Sequence, residues 1–411
     1  MTRRRIVVVN DDSIARGGTA VLAVMSAKAL AARGHEVIWL CGDAGANPSL
    51  AEAGIEVVAL GSRPLLDLPA RAALVSGVHN APAARMIRAF LAERDTPDTV
   101  YHVHSWAQIF SPALFPALAP VGKRALLHAH DMFLACPNGV FMDYRKNQPC
   151  TRRPVSAACV ATHCDKRSYA QKLWRVARGA RVIRALGDLS GWGGIVVIHP
   201  AMKAKLARAG YPEARMHTVR NPVVPFSAVR IRAEDNRGLL YVGRLEADKG
   251  VGELASAAAR AGVPLTLVGE GPMRAEISAR YPAARLAGWV DKAGIAPFAA
   301  EARALVMPSR HPEPFALVIA EAAASGLPVL AADTAAMAAE VEAAGLGFAF
   351  DVFDPASFDA AIGRIMALPA AEVAAMSARG FSGEAALGTT QDGWIDGLEA
   401  QYARVLADAG R

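Results

Sequence analysis

The chain has 411 residues, 53% of them apolar and 20% charged, and carries a formal net charge of +7 at pH 7. This length predicts two domains, and the apolar content excludes a disordered chain. Because the basic residues are mostly spread along the chain and no RNA-recognition or zinc-finger motif is present, we expect no nucleic-acid partner.

The first residues are basic, but the apolar run that follows, Ile6–Val9, ends after four residues at Asn10. A secretory signal requires a longer apolar stretch. The uncharged interval 100–122 contains two histidines and three prolines, which excludes a membrane span there. We therefore expect a cytoplasmic protein.

Short strand patterns alternate with Ala-rich helical patterns in two successive series. Such alternation is typical of βαβ units and a parallel sheet. The first series contains RIVVV, a helix at 19–32, HEVIWL, IEVVAL, a helix at 86–92 and TVYHV, and the second contains GLLYVG, a helix at 251–261, PLTLVG, a helix at 273–280, RALVMP, a helix at 316–324 and LPVLAAD.

The two series predict an α/β fold of two Rossmann-like, doubly wound domains. The N-terminal domain covers 1–220 and contains a Cys-rich, basic insertion at about 131–175. The C-terminal domain covers 221–390 and begins at the Pro-rich segment 221–225. The last helical segment, 391–411, is expected to pack back on the N-terminal domain.

Ligands of open parallel sheets bind at the carboxyl ends of the strands, so the loops there are the candidates for a site. Gly17 and Gly18 follow the first strand and precede a helix, where small residues let backbone amides approach an anion. A plain tight turn explains this pair equally well. The later segment LVGEGP, with Gly269 and Glu270, is a second loop that could admit a ligand closely.

Arg244 and Lys249 lie five residues apart around a predicted helix start, in YVGRLEADKG. Two cations there could hold a diphosphate and neutralise its charge when it leaves. A pair of solvated surface charges is the alternative.

The apolar stretch HPEPFALVIAEAAASGLPVL contains two carboxylates, Glu313 and Glu321. Prolines on both sides place Glu313 in a loop, so the helix starts at about Pro314 or Phe315 and contains Glu321. Six or seven helical residues would separate the carboxylates by roughly 9 to 10 Å. A nucleotide sugar has matching groups, with hydroxyls on either side of a diphosphate. The alternative is that Glu313 complements the helix dipole and Glu321 is solvated.

The chain contains the motifs VGRLEADKG, LVGEGP, GWV, PSRHPEPFALVIAEAAASGLPV, the early Gly-Gly loop and HAHD. Together they resemble the motifs of the retaining glycosyltransferases of family 4, which have the GT-B fold of two facing Rossmann-like domains with a cleft between them. Two departures from the family pattern occur: DTAAMAAEV lacks the usual Gly-Gly turn, and EPFALV has Ala316 where EPFGLV is usual. We expect Ala316 to be tolerated at a helix start.

The resemblance implies a transferase that moves a hexosyl group from a GDP- or UDP-hexose to a glycan or lipid-linked acceptor with retention, in bacterial polysaccharide, lipopolysaccharide or glycolipid synthesis. It implies a front-face route without a catalytic metal or other cofactor. An epimerase, a phosphorylase and a non-catalytic sugar-nucleotide binder remain open. The implied roles are diphosphate binding by Arg244 and Lys249, sugar binding by Glu313, ribose binding by Glu321, phosphate binding by the amides of Phe315, Ala316 and Leu317, donor contacts from Gly17, Gly18, Gly269 and Glu270, and contact with the transferring sugar by His130.

Four of the five cysteines, Cys136, Cys150, Cys159 and Cys164, fall in one 29-residue span. Their spacing lacks the C-x-x-C of zinc knuckles, and disulfides are disfavoured in a reducing cytosol. A structural zinc and buried unliganded thiols therefore both remain open. The surrounding insertion is basic and aromatic, which fits either an anionic membrane surface bound peripherally or a solvated surface. Its cationic and aromatic residues are Arg145, Lys146, Arg152, Arg153, Lys166, Arg167, Tyr169, Lys172, Trp174 and Arg175.

Overall fold

The computed structural model describes residues 3–14 and 17–410. The chain divides into two compact units, an N-terminal unit of 1–141, 151–219 and 392–411 and a C-terminal unit of 142–150 and 220–391. The chain therefore returns to the N-terminal unit at its end. Residues 142–150, which the sequence placed in the insertion of the first domain, group with the C-terminal unit.

Strands are present throughout both units. Their bounds in the described residues are β1 Arg5–Asn10, β2 Glu36–Cys41, β3 Glu56–Ala59, β4 Thr99–Val103, β5 Ala125–Ala129, β6 Met142–Asp143, β7 Gln148–Pro149, β8 Gly194–Val197, β9 Met216–Thr218, β10 Gly238–Val242, β11 Leu265–Val268, β12 Arg285–Gly288, β13 Ala302–Met307, β14 Val329–Ala332 and β15 Gly347–Phe350.

Helices connect most of these strands. Their bounds are α1 Gly18–Ala32, α2 Pro48–Glu52, α3 Ala70–Val78, α4 Ala81–Arg94, α5 Leu114–Leu118, α6 Ala157–Ala161, α7 Tyr169–Leu186, α8 Met202–Ala207, α9 Val251–Ala261, α10 Arg274–Arg280, α11 Ala296–Ala300, α12 Leu317–Ala324, α13 Ala338–Ala343, α14 Pro355–Ala367, α15 Ala370–Phe381 and α16 Gln391–Ala409.

Each unit is built on one parallel sheet. The N-terminal sheet has the order β3-β2-β1-β4-β5-β8-β9, and the C-terminal sheet has the order β12-β11-β10-β13-β14-β15. In both, the strand order reverses beside the first strand, which is the doubly wound pattern. This confirms the predicted fold class of two Rossmann-like domains. The short pair β6-β7 is antiparallel and separate.

The central strands are nearly continuous apolar runs because helices cover both faces of a parallel sheet. β4, β5 and β13 are buried along their whole length. In the C-terminal unit, α9 and α14 pack their apolar residues against the sheet in one continuous core. In the described residues, no single helix is long and apolar enough to cross a bilayer, and only the pair α14 and α15, bent by 101°, meets the length and composition criteria together.

Polar side chains cap the starts of several helices. Side chains of Asn80, Ser168 and Asp354 accept hydrogen bonds from backbone amides in the first turns of α4, α7 and α14. Such caps satisfy amides that have no partner within the helix. These helices therefore begin at polar residues visible in the sequence.

Candidate functional site

The loop after β10 is tied to the loop after β13 in the C-terminal unit. The carbonyl oxygen of Asp248 accepts hydrogen bonds from the amides of Arg310 and His311, at 3.0 and 3.1 Å. Gly250 adopts φ 69°, and a Cβ there would lie 1.8 Å from the carbonyl oxygen of Pro308. Only glycine fits this approach, which fixes Lys249 beside the second loop.

Lys249 forms an ion pair with Glu313 across these two loops, and their side chains are 15% and 14% exposed. The Ser309 hydroxyl donates to the same carboxylate oxygen, Oε1, at 3.1 Å. His311 Nδ1 lies 3.5 Å from Oε1. All three contacts use Oε1, and within the described residues Oε2 has no protein hydrogen-bond partner. The geometry leaves one carboxylate oxygen for a ligand.

The electrostatic surroundings keep Glu313 ionised. Burial raises the pKa of this carboxyl, but His311 and the Lys249 ammonium lower it more, and the net pKa is about 2. We assign the larger part of the lowering to Lys249, because its ammonium touches Oε1 while His311 lies too far for a short hydrogen bond. At neutral pH Glu313 is therefore a hydrogen-bond acceptor and cannot donate a proton.

Helix α12 begins at Leu317, later than the predicted start at Pro314 or Phe315. The reason is Ala316, which precedes the helix in the left-handed region with φ 44° and ψ 65°. The six or seven helical residues assumed between Glu313 and Glu321 are wrong, since only five residues up to Glu321, 317–321, are helical. A left-handed alanine is strained, so the expected tolerance of alanine at position 316 stays a prediction.

The second carboxylate, Glu321, is 14% exposed and pairs with Lys292, which is 48% exposed. Since one partner is half in water, this pair contributes little to stability. A ligand hydroxyl can replace it at low cost. Glu321 therefore lies at the solvent edge of α12. It is neither an unpaired buried acid nor a fully solvated one.

Arg244, expected to act beside Lys249, is 67% exposed and pairs with Glu246 at 2.6 Å. The structure therefore separates the two cations by environment, with Lys249 held in place and Arg244 at the surface. Glu270 is also exposed and pairs with Arg274 at 3.0 Å.

The glycine loop after β11 has a packing role that the sequence did not reveal. A Cβ on Gly269 would lie 1.9 Å from the Gly243 carbonyl oxygen, and one on Gly271 would lie 2.3 Å from that of Leu245. Leu245 also accepts from and donates to this loop through its backbone. These glycines are needed first for the contact between two protein loops.

In the N-terminal unit, Gly17 has φ 86° and precedes α1, and among the described residues no atom outside the neighbouring residues of the chain lies within 4 Å of a Cβ built on Gly17 or Gly18. Both positions are exposed.

Asp11, directly after β1, is buried and accepts hydrogen bonds from the amides of Gln108, Ile109 and Phe110 at 2.7 to 2.9 Å. Burial raises its pKa to about 6 even though these amides favour the charged form.

His130 follows β5 and contacts a second histidine, His104, which the sequence analysis did not select. Their Nε2 and Nδ1 atoms are 2.9 Å apart. Burial lowers the pKa of His130 to about 3, so the ring is neutral at neutral pH. The missed signal was the repeated pattern, since HVH at the end of β4 matches HAH at the end of β5. Ser309, His311 and Lys292 were likewise missed, although the first two lie inside the quoted motif PSRHPEP.

Cys136, Cys159 and Cys164 are buried in the N-terminal unit, and Cys150 is half-buried in the segment that groups with the C-terminal unit. Asn138 contacts the sulfurs of Cys136 at 3.0 Å and Cys164 at 3.7 Å. Zinc binding by the four cysteines stays a prediction.

Lys172 departs from the predicted basic surface. It is 1% exposed, and its ammonium lies 3.3 Å from the sulfur of Cys159. Arg175 also turns inward and pairs at 3.0 Å with Asp165, whose side chain is 2% exposed. The expected surface is therefore smaller than the sequence suggested, although Lys166 and Arg167 are exposed.

A family model described as Glycosyltransferase Family 4 matches residues 16–225, which is 210 of 411 residues. A second model, described as Glycosyl transferases group 1, matches residues 236–367. A glycogen synthase of Mycobacterium tuberculosis is 35% identical over 158 residues, covering 36% of this chain and 38% of that protein. The match spans less than half the length of this curated relative.

Solved structures share the fold over the whole chain. Sucrose-phosphate synthase from Thermosynechococcus elongatus has a TM-score of 0.70 at 19% identity and covers 99% of this chain and 100% of its own. HepE of Anabaena in complex with UDP-glucose has a TM-score of 0.64 at 16% identity, with 99% and 100% covered. The fold is therefore that of the GT-B glycosyltransferases, as the sequence resemblance implied.

Proposed function

Since the chain belongs to Glycosyltransferase Family 4, we propose that it moves a hexosyl group from a GDP- or UDP-hexose to a glycan or lipid-linked saccharide. In this proposal the anomeric configuration is retained, and the product belongs to a bacterial polysaccharide, lipopolysaccharide or glycolipid. The HepE structure similar to this chain contains UDP-glucose, which supports a nucleotide-sugar donor.

The observation that carries the proposal is the state of Glu313. Its Oε1 is occupied by Lys249, Ser309 and His311, while Oε2 has no partner within the described residues. An ionised, oriented carboxylate with one open oxygen is suited to accept hydrogen bonds from sugar hydroxyls. It is not suited to protonate a leaving group, which agrees with a route in which the departing phosphate takes the acceptor's proton.

We assign charge stabilisation of the departing diphosphate to Lys249 and Arg244. The partly buried Lys249 ammonium is already oriented, so little reorganisation accompanies the reaction. Arg244 is exposed and exchanges its Glu246 partner for phosphate at low cost. The amides of Phe315, Ala316 and Leu317, at the start of α12, complete the proposed phosphate site.

The remaining donor contacts follow from the family resemblance. Glu321 is proposed for the ribose hydroxyls, because its partner Lys292 is solvated and easily displaced. His130 is proposed for contact with the transferring sugar as a neutral imidazole. Gly17 and Gly18, with open space beside them, are proposed for close approach of the donor.

A panel of GDP- and UDP-hexoses, incubated with and without lipid extract as acceptor, tests the reaction. The expected result is acceptor-dependent release of nucleoside diphosphate. An epimerase gives a changed nucleotide sugar without release, a phosphorylase requires inorganic phosphate, and a binder gives no product.

The variant Glu313→Gln keeps the shape of the side chain and removes its charge. We expect a loss of transfer of about 100-fold or more, because an acceptor of hydrogen bonds in the transition state becomes partly a donor. Glu301→Gln, at an exposed pair with Arg285, is the matched control and keeps full activity. Full activity of Glu313→Gln would contradict the assignment.

A further inference from the structure

The ends of β4 and β5 bring four histidines together on one side of the N-terminal sheet. β4 and β5 are parallel neighbours, and His102 pairs in register with Leu126, so alternate residues of the two strands share a face. The rings of His102, His104, His128 and His130 are stacked or tilted against one another, with neighbouring centroids 4.1 to 5.2 Å apart. A two-residue period on adjacent strands thus produces a compact cluster of imidazoles.

Three of these rings have the spacing of metal ligands. One ring nitrogen from each of His102, His104 and His128 lies within 4.8 Å of the other two. Nε2 of His102 and Nδ1 of His128 are 3.1 Å apart. Two nitrogens bound to one tetrahedral ion at about 2.0–2.1 Å are separated by about 3.3 Å, so this pair of rings already has the required spacing.

The cluster also contains polar atoms that the fold leaves unsatisfied. Nε2 of His104, Nε2 of His128 and Nδ1 of His130 are buried and have no hydrogen-bond partner in the part of the chain that is described. An unsatisfied buried polar atom costs about 1–3 kcal/mol, and coordination of an ion through Nε2 of His104 removes that cost at one of the three atoms.

Two contacts resemble the outer support that metal-binding histidines normally have. The Tyr402 hydroxyl lies 2.8 Å from Nδ1 of His102, the nitrogen that does not face His128. Nδ1 of His104 lies 2.9 Å from Nε2 of His130. Such hydrogen bonds fix the tautomer and orientation of a ligating ring.

We propose that His102, His104 and His128 bind a divalent transition-metal ion, with Tyr402 and His130 as supporting partners. Imidazole nitrogens suit Zn²⁺, Co²⁺, Ni²⁺ or Cu²⁺, whereas Mg²⁺ and Ca²⁺ require oxygen ligands. Three neutral ligands leave the charge of the ion uncompensated, so an exchangeable anion such as hydroxide fills the fourth position. The ion has a structural role, joining the ends of β4 and β5 and orienting His104 against His130.

The test is titration of the full-length, tag-free protein with Co²⁺, followed by visible absorption and a thermal-unfolding scan. We expect one equivalent of Co²⁺ with tetrahedral d–d bands and without the ultraviolet charge-transfer band of a cobalt–thiolate bond. This spectrum separates the histidine site from binding at the cysteines. Binding also raises the Tm, because the ion stabilises only the folded state.

Variants connect the signal to the named residues. His128→Gln, which removes a ligand, is expected to weaken binding by on the order of 100-fold, and Tyr402→Phe, which removes only support, by about 10-fold. His217→Gln is the matched control, since His217 lies in the same unit and also has a buried, unpartnered Nε2, but outside the cluster. Absence of Co²⁺ binding by the wild type, or unchanged binding by folded His128→Gln, would overturn the proposal.

Discussion

The ion pair between Lys249 and Glu313 makes the stability of the C-terminal unit depend on acid pH in a specific way. The pKa of Glu313 falls from 4.5 to about 2 on folding. A lowered pKa means that the folded state favours the carboxylate, so the stabilisation is complete well above pH 4.5 and is lost as the pH falls towards 2. At neutral pH the shift corresponds to at most about 3.4 kcal/mol.

The same shift gives the size of the effect at lower pH. At pH 3 about 1.4 kcal/mol of this stabilisation remains, so about 2 kcal/mol is lost between pH 7 and pH 3. Glu313→Gln does not titrate and lacks this loss. The difference in unfolding free energy between wild type and Glu313→Gln should therefore shrink by about 2 kcal/mol over that range.

Unit-specific stability is measured by hydrogen–deuterium exchange mass spectrometry in increasing urea, read on peptides from β13 and β14. Glu301→Gln controls for the removal of a negative charge at the surface. Lys249→Met removes the cation instead and should destabilise the unit by up to about 3 kcal/mol, because it leaves a mostly buried carboxylate without its ion-pair partner. A pH-independent difference between wild type and Glu313→Gln would refute this account of the pair.

Three further changes test separate features. Ala316→Gly should raise the stability of the C-terminal unit by about 0.5–1 kcal/mol in urea denaturation, since it relieves a left-handed alanine, whereas Ala320→Gly inside α12 should lower it by about 1 kcal/mol. Gly269→Ala should destabilise the C-terminal unit by about 3 kcal/mol or more, because its Cβ would collide with the Gly243 carbonyl. The control Gly363→Ala, which has space for a Cβ among the described residues, should stabilise the unit by up to about 1 kcal/mol. Equal effects of the two variants in thermal unfolding would contradict the packing role of Gly269. Glu321→Gln should raise the KM for the donor about 10-fold with kcat within about 2-fold if it binds the ribose uniformly, and a matching fall in kcat would contradict that assignment.

The α/β fold with two doubly wound domains could be predicted because its signals are local. Strand runs and helical periods are read within about ten residues, and N-caps such as Ser168 mark starts directly. The start of α12 could not be predicted, because Ala316 adopts a conformation that alanine avoids and that only the surrounding loops impose.

The arrangement of the candidate site could not be predicted from the sequence. Lys249 and Glu313 were treated as separate ligand groups, although 64 residues apart in the chain they form one buried pair. Lys172 was placed on a basic surface, whereas it is buried beside Cys159. Pairings of this kind depend on which loops meet in three dimensions, and charge patterns in sequence carry no information on that.

The protonation states of the site residues constrain the proposed chemistry. Glu313 is ionised and His130 is neutral at neutral pH, so neither is a strong acid towards the leaving group. The acceleration must then come from orientation of the donor and from positive charge near its diphosphate. Lys249 cannot serve the diphosphate alone, because Glu313 already compensates its charge. In the proposed reaction the exposed guanidinium of Arg244 exchanges Glu246 for phosphate and so provides positive charge that Lys249, paired with Glu313, does not provide alone.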